Sequence, residues 1–174
     1  MTDPRYPIGR FDAGVEPAAA EVEAAVRDIA ELPERLREAL DGLTEEQIDS
    51  PYREGGWTIR QLVHHVADSH LNAFVRLRLG LTEDTPRILT YKQDLWAELA
   101  DSRTLPVDVS VQILTGLHRR WATLLESLGP GDFERRIDHP DHGEISLARL
   151  TALYGWHGRH HVAHVTVARR GMAA

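Results

Sequence analysis

Seven of the ten histidines fall in two short segments: His64, His65 and His70 in WTIRQLVHHVADSH, and His157, His160, His161 and His164 in LYGWHGRHHVAHV. Neutral imidazole offers one nitrogen lone pair and is the commonest side-chain ligand of a transition metal. The chain has no cysteine, so a metal would have to rest on imidazole and carboxylate. Burying several imidazoles without partners would cost on the order of 1–3 kcal/mol each, and a shared metal removes that cost.

Spacing decides which rings can share one ion. Leu147, Leu150, Tyr154, His157, His161, His164 and Ala168 follow one another at steps of 3, 4, 3, 4, 3 and 4, the inward seam of a packed helix. His157 and His161 stand at i and i+4, one above the other on that face. His164 continues the seam one turn further. His160 falls off it, beside Leu153 and Trp156, in the place of a rim or supporting group. A third ligand from a neighbouring helix would give three protein ligands and an open fourth position, the arrangement of catalytic zinc. His64, His65 and His70 are the candidates, and periodicity does not choose among them. Asp68, three residues from His65 and four from His64, could accept the second ring N–H of an imidazole and fix its tautomer. Tyr154, one turn before His157, could hydrogen-bond a substrate, although packing of its large ring is the simpler role.

Helices must position these groups. From Pro17, PAAAEVEAAVRDIAELPERLREALDGL carries apolar residues at helical spacing, with Pro33 expected to kink or break it. Thr44 to Gln47 matches a capping box and opens a minor element before Pro51. Thr58 is an N-cap candidate with Gln61 three residues on, and Trp57 is placed to staple onto Leu62. Ile59, Leu62, Val63, Val66, Phe74 and Leu77 carry this second long helix to about Leu81. A connection over 82–104 includes a short helical DLWAELA. The third long helix starts near Pro106 and Asp108 and should stop at Gly129-Pro130. Its His118 and Arg119-Arg120-Trp121 divide into a polar and a packed face. RIDHPDHGEIS reads as loop or a short extended excursion, and the fourth long helix covers Ser146 to Arg170. These elements predict an all-α four-helix bundle with additional short helices in its connections, as a single domain over 1–174.

The net charge of −7, with 20 basic residues scattered along the chain, leaves no basic stripe for nucleic acid. MTDPRYPIGRF lacks an apolar signal core and no run of about 18 apolar residues occurs, so neither a signal peptide nor a membrane span is expected. A cytoplasmic location is the default expectation.

The motifs YPIGRF, PYREGGWTIRQLVHHVADSHLNAFVRLRLGLTED, YKQDLWAEL, LHRRWATLL, HPDHGEISL and YGWHGRHHVAHV are spread over nearly the whole chain. In them the chain resembles the DinB/YfiT-like superfamily of metal-binding four-helix bundles, and within it the YfiT-like branch of metal-dependent hydrolases or bacillithiol transferases. Counting from Trp57, the resemblance implies His65 as a metal ligand, with His157 and His161 as the helical pair and Ala163 as the small residue after them. His164 stands where Gln is usual in the superfamily, a feature shared by the YfiT-like branch. The roles of His64, His160 and His164 stay open. The resemblance further implies a cytoplasmic homodimer with one divalent metal per subunit, zinc or in its place nickel.

The open position would hold water or a thiolate. A metal lowers the pKa of bound water toward about 7 and makes a hydroxide nucleophile, which suits hydrolysis of an amide or ester. A bound thiolate would instead attack an electrophile, and a chain without cysteine would receive that thiol as a small-molecule cosubstrate. The expectation carried forward is an S-transferase adding a low-molecular-weight, bacillithiol-like thiol to electrophiles, with hydrolysis as the alternative. Arg53, Glu54 and Arg159 are candidates to hold the thiol's carboxylates, although a solvated surface role is the simpler one for each. A third reading is a non-catalytic bundle whose metal only clamps the second and fourth long helices.

Overall fold

Four long helices carry the fold: α1 (Ala19–Leu40), α3 (Ile59–Thr82), α6 (Val107–Glu126) and α8 (Leu147–Met172). The computed structural model describes residues 3–172, so the extreme ends of the expected 1–174 domain lie outside the described residues. Short helices α2 (Glu45–Ile48), α4 (Gln93–Trp96), α5 (Ala100–Thr104) and α7 (Pro130–Glu134) occupy the connections. Strands β1 (Arg136–His139) and β2 (Gly143–Ser146) pair antiparallel just before α8, so RIDHPDHGEIS takes the extended of its two readings. The chain is the all-α four-helix bundle that the periodicity predicts.

Its topology is less simple than up-and-down. α1 packs on α6 and α8, and α3 packs on the same two helices. The order around the bundle is therefore α1, α6, α3, α8, and the consecutive long helices α1 and α3 face each other across a diagonal, as do α6 and α8. Residues 41–58 and 127–146 make those diagonal crossings, which short loops could not span.

Local signals account for several boundaries. Thr58 and Gln61 cap α3 reciprocally: Gln61 N–H donates to Thr58 Oγ1 at 3.1 Å, and Thr58 N–H donates to Gln61 Oε1 at 3.0 Å. Thr44 and Gln47 do the same for α2. Gly129-Pro130 does not stop α6, which ends at Glu126; Pro130 instead opens α7, where its missing N–H costs nothing.

Pro33 departs from expectation: α1 runs through it unbroken, with the ring buried against the core. Packing on α6 and α8 holds the helix together locally, but Pro33 has no N–H to offer the Ile29 carbonyl four residues back. That carbonyl is met by a different donor.

Two apolar clusters fill the bundle. One gathers Ile29, Phe74, Leu77, Trp121, Leu147, Leu150 and Tyr154. The other gathers Leu32, Leu36, Leu62, Val63, Val66, Leu114 and Val165. Between them on α3, α6 and α8 lie buried His65, His70, His118, His161 and His164, so a layer of imidazole divides the core. α1 and α8 close on each other at Gly155, where an added Cβ would lie 2.8 Å from the Cα of Ala25.

Candidate metal centre

The three histidines of α3 meet different partners. His64 points at α6: its Nδ1 lies 2.7 Å from Ser110 Oγ and its Nε2 3.0 Å from the Leu105 carbonyl oxygen. The carbonyl requires Nε2–H as donor, leaving Nδ1 to accept from the serine hydroxyl. Both nitrogens are thereby used. His70 is likewise committed on both sides, to His118 at 3.0 Å and to His157 at 3.1 Å. His65 faces α8 instead, its ring centroid 5.5 Å from that of His157 and 5.1 Å from that of His161.

One nitrogen from each of His65, His157 and His161 lies within 4.8 Å of the others. His157 Nε2 and His161 Nε2 are 3.2 Å apart. Two nitrogens bound at 2.0–2.1 Å on a tetrahedral ion would be separated by about 3.3 Å, so the helical pair has the span of a shared ligand edge. Three neutral imidazoles form a donor set suited to zinc, nickel or copper rather than to calcium or magnesium. Burial favours that neutral form: it pushes His65 down to about 4 and holds His157 and His161 well below the ordinary histidine range, with the neighbouring rings adding to the effect on the pair.

A second group shares His161. One nitrogen each from His160, His161 and His164 also lies within 4.8 Å of the others, with His161 Nδ1 and His164 Nδ1 3.5 Å apart. Of the two places that the helical seam suggests for His160, rim or supporting group, burial excludes the rim. It is buried, stacked on Trp156 at 4.4 Å with Tyr6 6.0 Å away, because the segment before α1 folds back over α8. His164 packs on Tyr52 at 4.4 Å, and burial lowers its pKa.

The histidines lie at a cleft of about 430 Å³ whose lining includes Arg5, Tyr52, Arg53, Trp57, Asp94, Trp156 and the rings of His65, His157 and His161. Trp57 belongs to this wall: its ring lies 4.8 Å from that of His65, so it shields a candidate ligand, a role that a staple onto Leu62 does not include. Arg5 is matched by Asp3 at 2.9 Å. Arg53 lies over the Tyr52 ring, its centre 5.3 Å from the centroid, and donates to Tyr52 Oη and the Glu54 carbonyl oxygen; it has no carboxylate partner among the described residues.

Other expectations fall elsewhere. Asp68 makes no side-chain hydrogen bond to an imidazole among the described residues; burial and the nearby Asp101 push its carboxyl up to about 6. The partner of His157 Nδ1 is His70. Tyr154 packs, edge-on to His70 at 5.1 Å, with its hydroxyl beside Ser69 and Arg76. Arg159 pairs with Asp28 across α1 and α8. His118, left between a polar and a packed face of the third long helix, is fully buried, and burial pushes it down to about 4. Its phase, four residues after Leu114 and three before Trp121, already marked an inward position.

Comparison with known proteins agrees with the fold and associates it with metal dependence. The chain matches the DinB superfamily over residues 28–165. Relatives from Bacillus mycoides and Bacillus cereus, each 49% identical over 97% and 98% of both chains respectively, bear the name "putative metal-dependent hydrolase". Among solved structures, YfiT from Bacillus subtilis matches with a TM-score of 0.94 and 40% identity, covering 99% of both chains. That protein is described as a probable metal-dependent hydrolase with an unusual four-helix bundle topology.

Proposed function

Because the chain belongs to the DinB superfamily, we propose that it is a metal-dependent enzyme whose ion is held by His65, His157 and His161. The observation that carries this reading is the convergence of these three rings at a cleft. A zinc ion there, or nickel in its place, would act as a Lewis acid and lower the pKa of a water or thiol at its open position.

The chain's own residues supply binding and exclusion. Trp57 lies against His65 and Trp156 against His160 in the cleft lining, and desolvation by the core keeps the imidazoles in their ligating, neutral form. Arg53 stands in the cleft lining without a carboxylate of its own, placed to hold an anionic group of an incoming molecule. This favours a small acidic thiol as the nucleophile: the thiol gives up its S–H proton to solvent, its sulfur forms the new bond to the electrophilic carbon, and the electrophile's leaving group departs with the electron pair of the bond that breaks. Metal-dependent hydrolysis is the second reading, favoured by the names of the two Bacillus relatives.

Metal-loaded protein, incubated with bacillithiol and a chromogenic electrophile against thiol-free controls, tests the choice. Thiol-dependent consumption of the electrophile is expected. Turnover of amide or ester substrates without thiol, and none with it, would transfer the assignment to hydrolysis.

A further inference from the structure

Two histidines outside the proposed ligand set join His157 in one hydrogen-bonded line through the middle of the bundle. His118 Nδ1 on α6 lies 2.5 Å from the Ile29 carbonyl oxygen of α1, and His118 Nε2 lies 3.0 Å from His70 Nδ1 on α3. His70 Nε2 then lies 3.1 Å from His157 Nδ1 on α8. The line touches all four long helices. His70 and His118 have no exposed surface.

A carbonyl oxygen only accepts, and this gives the line a direction. His118 must donate from Nδ1, so its neutral ring presents a bare Nε2. His70 must donate to that nitrogen from its own Nδ1 and presents a bare Nε2 in turn. His157 must donate from Nδ1, which leaves its Nε2 lone pair facing His161 Nε2 at 3.2 Å. One assignment of neutral rings satisfies every contact. Neutrality is imposed by the surroundings: the line runs between two apolar clusters, and no carboxylate pairs with these rings among the described residues.

The line begins where α1 has a spare acceptor. In an unbroken helix the Ile29 carbonyl would receive the N–H of residue 33, but that residue is proline. The freed oxygen turns to His118.

We infer that His70 and His118 are positioning residues that hold His157 as its Nδ1–H tautomer, presenting Nε2 to the metal, and that Pro33 frees the acceptor that sets this direction. The metal consequence rests on the three-histidine reading above, whereas the tautomer does not. Buried second partners of ligating imidazoles ordinarily contribute about 10–100-fold to metal affinity.

Long-range ¹H–¹⁵N correlation spectra of the metal-free, histidine-labelled full chain at neutral pH read the tautomers directly. His118, His70 and His157 are expected as Nδ1–H forms; an Nε2–H or doubly protonated His157 overturns the inference. Zinc titration against a chelator reads the consequence. His70→Leu should weaken zinc by about 10–100-fold. His70→Gln offers a carbonyl to His157 Nδ1–H and an N–H to His118 Nε2, and should restore affinity to within a few-fold of wild type. Equal zinc affinity in His70→Leu and wild type also overturns it. Should His70→Leu fail to fold, the wild-type tautomers alone decide. A wild-type chain that binds no zinc would remove the metal-centre reading and leave the tautomer result to be judged by itself.

Discussion

A histidine in this chain is defined by what its second nitrogen meets. His64 is spent on Ser110 and Leu105, His70 on two other rings, and His65 faces the α8 pair. Replacing His65, His157 or His161 by Ala should therefore abolish stoichiometric metal, measured by elemental analysis of purified protein, while His64→Asn should retain it. Arg53→Ala tests the cleft at the same scale. Loss of a solvent-facing charged contact should raise KM for an acidic thiol by roughly threefold to tenfold and leave kcat nearly unchanged. The i, i+4 pair was legible from heptad phase alone, because a helix has one inward seam. The choice within His64, His65 and His70 was not, because α3 is buried on nearly every side and periodicity loses its contrast there. His160 escaped for a related reason: the seam describes contact between helices, and the cover over His160 comes from an irregular segment with Tyr6.

At the scale of elements, caps and periods were read correctly where a side chain acts on its own helix, as at Thr58 and Thr44. They misled where tertiary packing decides, as at Pro33, whose lost hydrogen bond is outweighed by the burial of α1 against α6 and α8. Helix approach yields a sharper expectation. A methyl at Gly155 would meet backbone atoms of Ala25 at 2.8 Å and 3.2 Å, which cannot move as a flexible side chain can. Gly155→Ala should therefore destabilise the protein by about 1–3 kcal/mol, despite the helix propensity gained. Gly116 in α6 has nothing within 4 Å of its Cβ position. Gly116→Ala should stabilise by up to about 1 kcal/mol. Thermal or urea denaturation of the two variants compares the signs directly.

For the whole molecule, a core divided by imidazoles ties stability to proton concentration. His65 and His118 are each held down to about 4 by burial, against 6.5 in an unfolded chain. Between those values the unfolded chain binds protons that the folded one refuses, so stability rises with pH across that window. The contribution is complete above about pH 6.5 and is lost as pH falls toward 4, on the order of 3 kcal/mol for each ring. Metal-free protein should thus show a melting temperature that drops steeply from pH 6.5 to 4, followed by circular dichroism. Added zinc should raise the melting temperature most at neutral pH and progressively less toward acid, because ligation requires unprotonated rings. A melting temperature flat across that range would contradict the desolvated state of these histidines. The diagonal order of the helices was not readable from the chain, since a 3.6-residue period reports a buried face and not which neighbour covers it.

The line from Ile29 through His118 and His70 to His157 also limits how such a sequence can drift. Changing His70 alone to an apolar residue strands an acceptor on one side and a donor on the other, so the first step is uphill even though a wholly apolar layer could pack well. Changing His118 alone strands His70 and returns the Ile29 oxygen to an unpaired state beside Pro33. Each single step is penalised by the members left behind, and only a concerted exchange of several positions escapes the penalty. The imidazole layer is in this sense a ratchet on the sequence, kept in place by the cost of dismantling it one residue at a time.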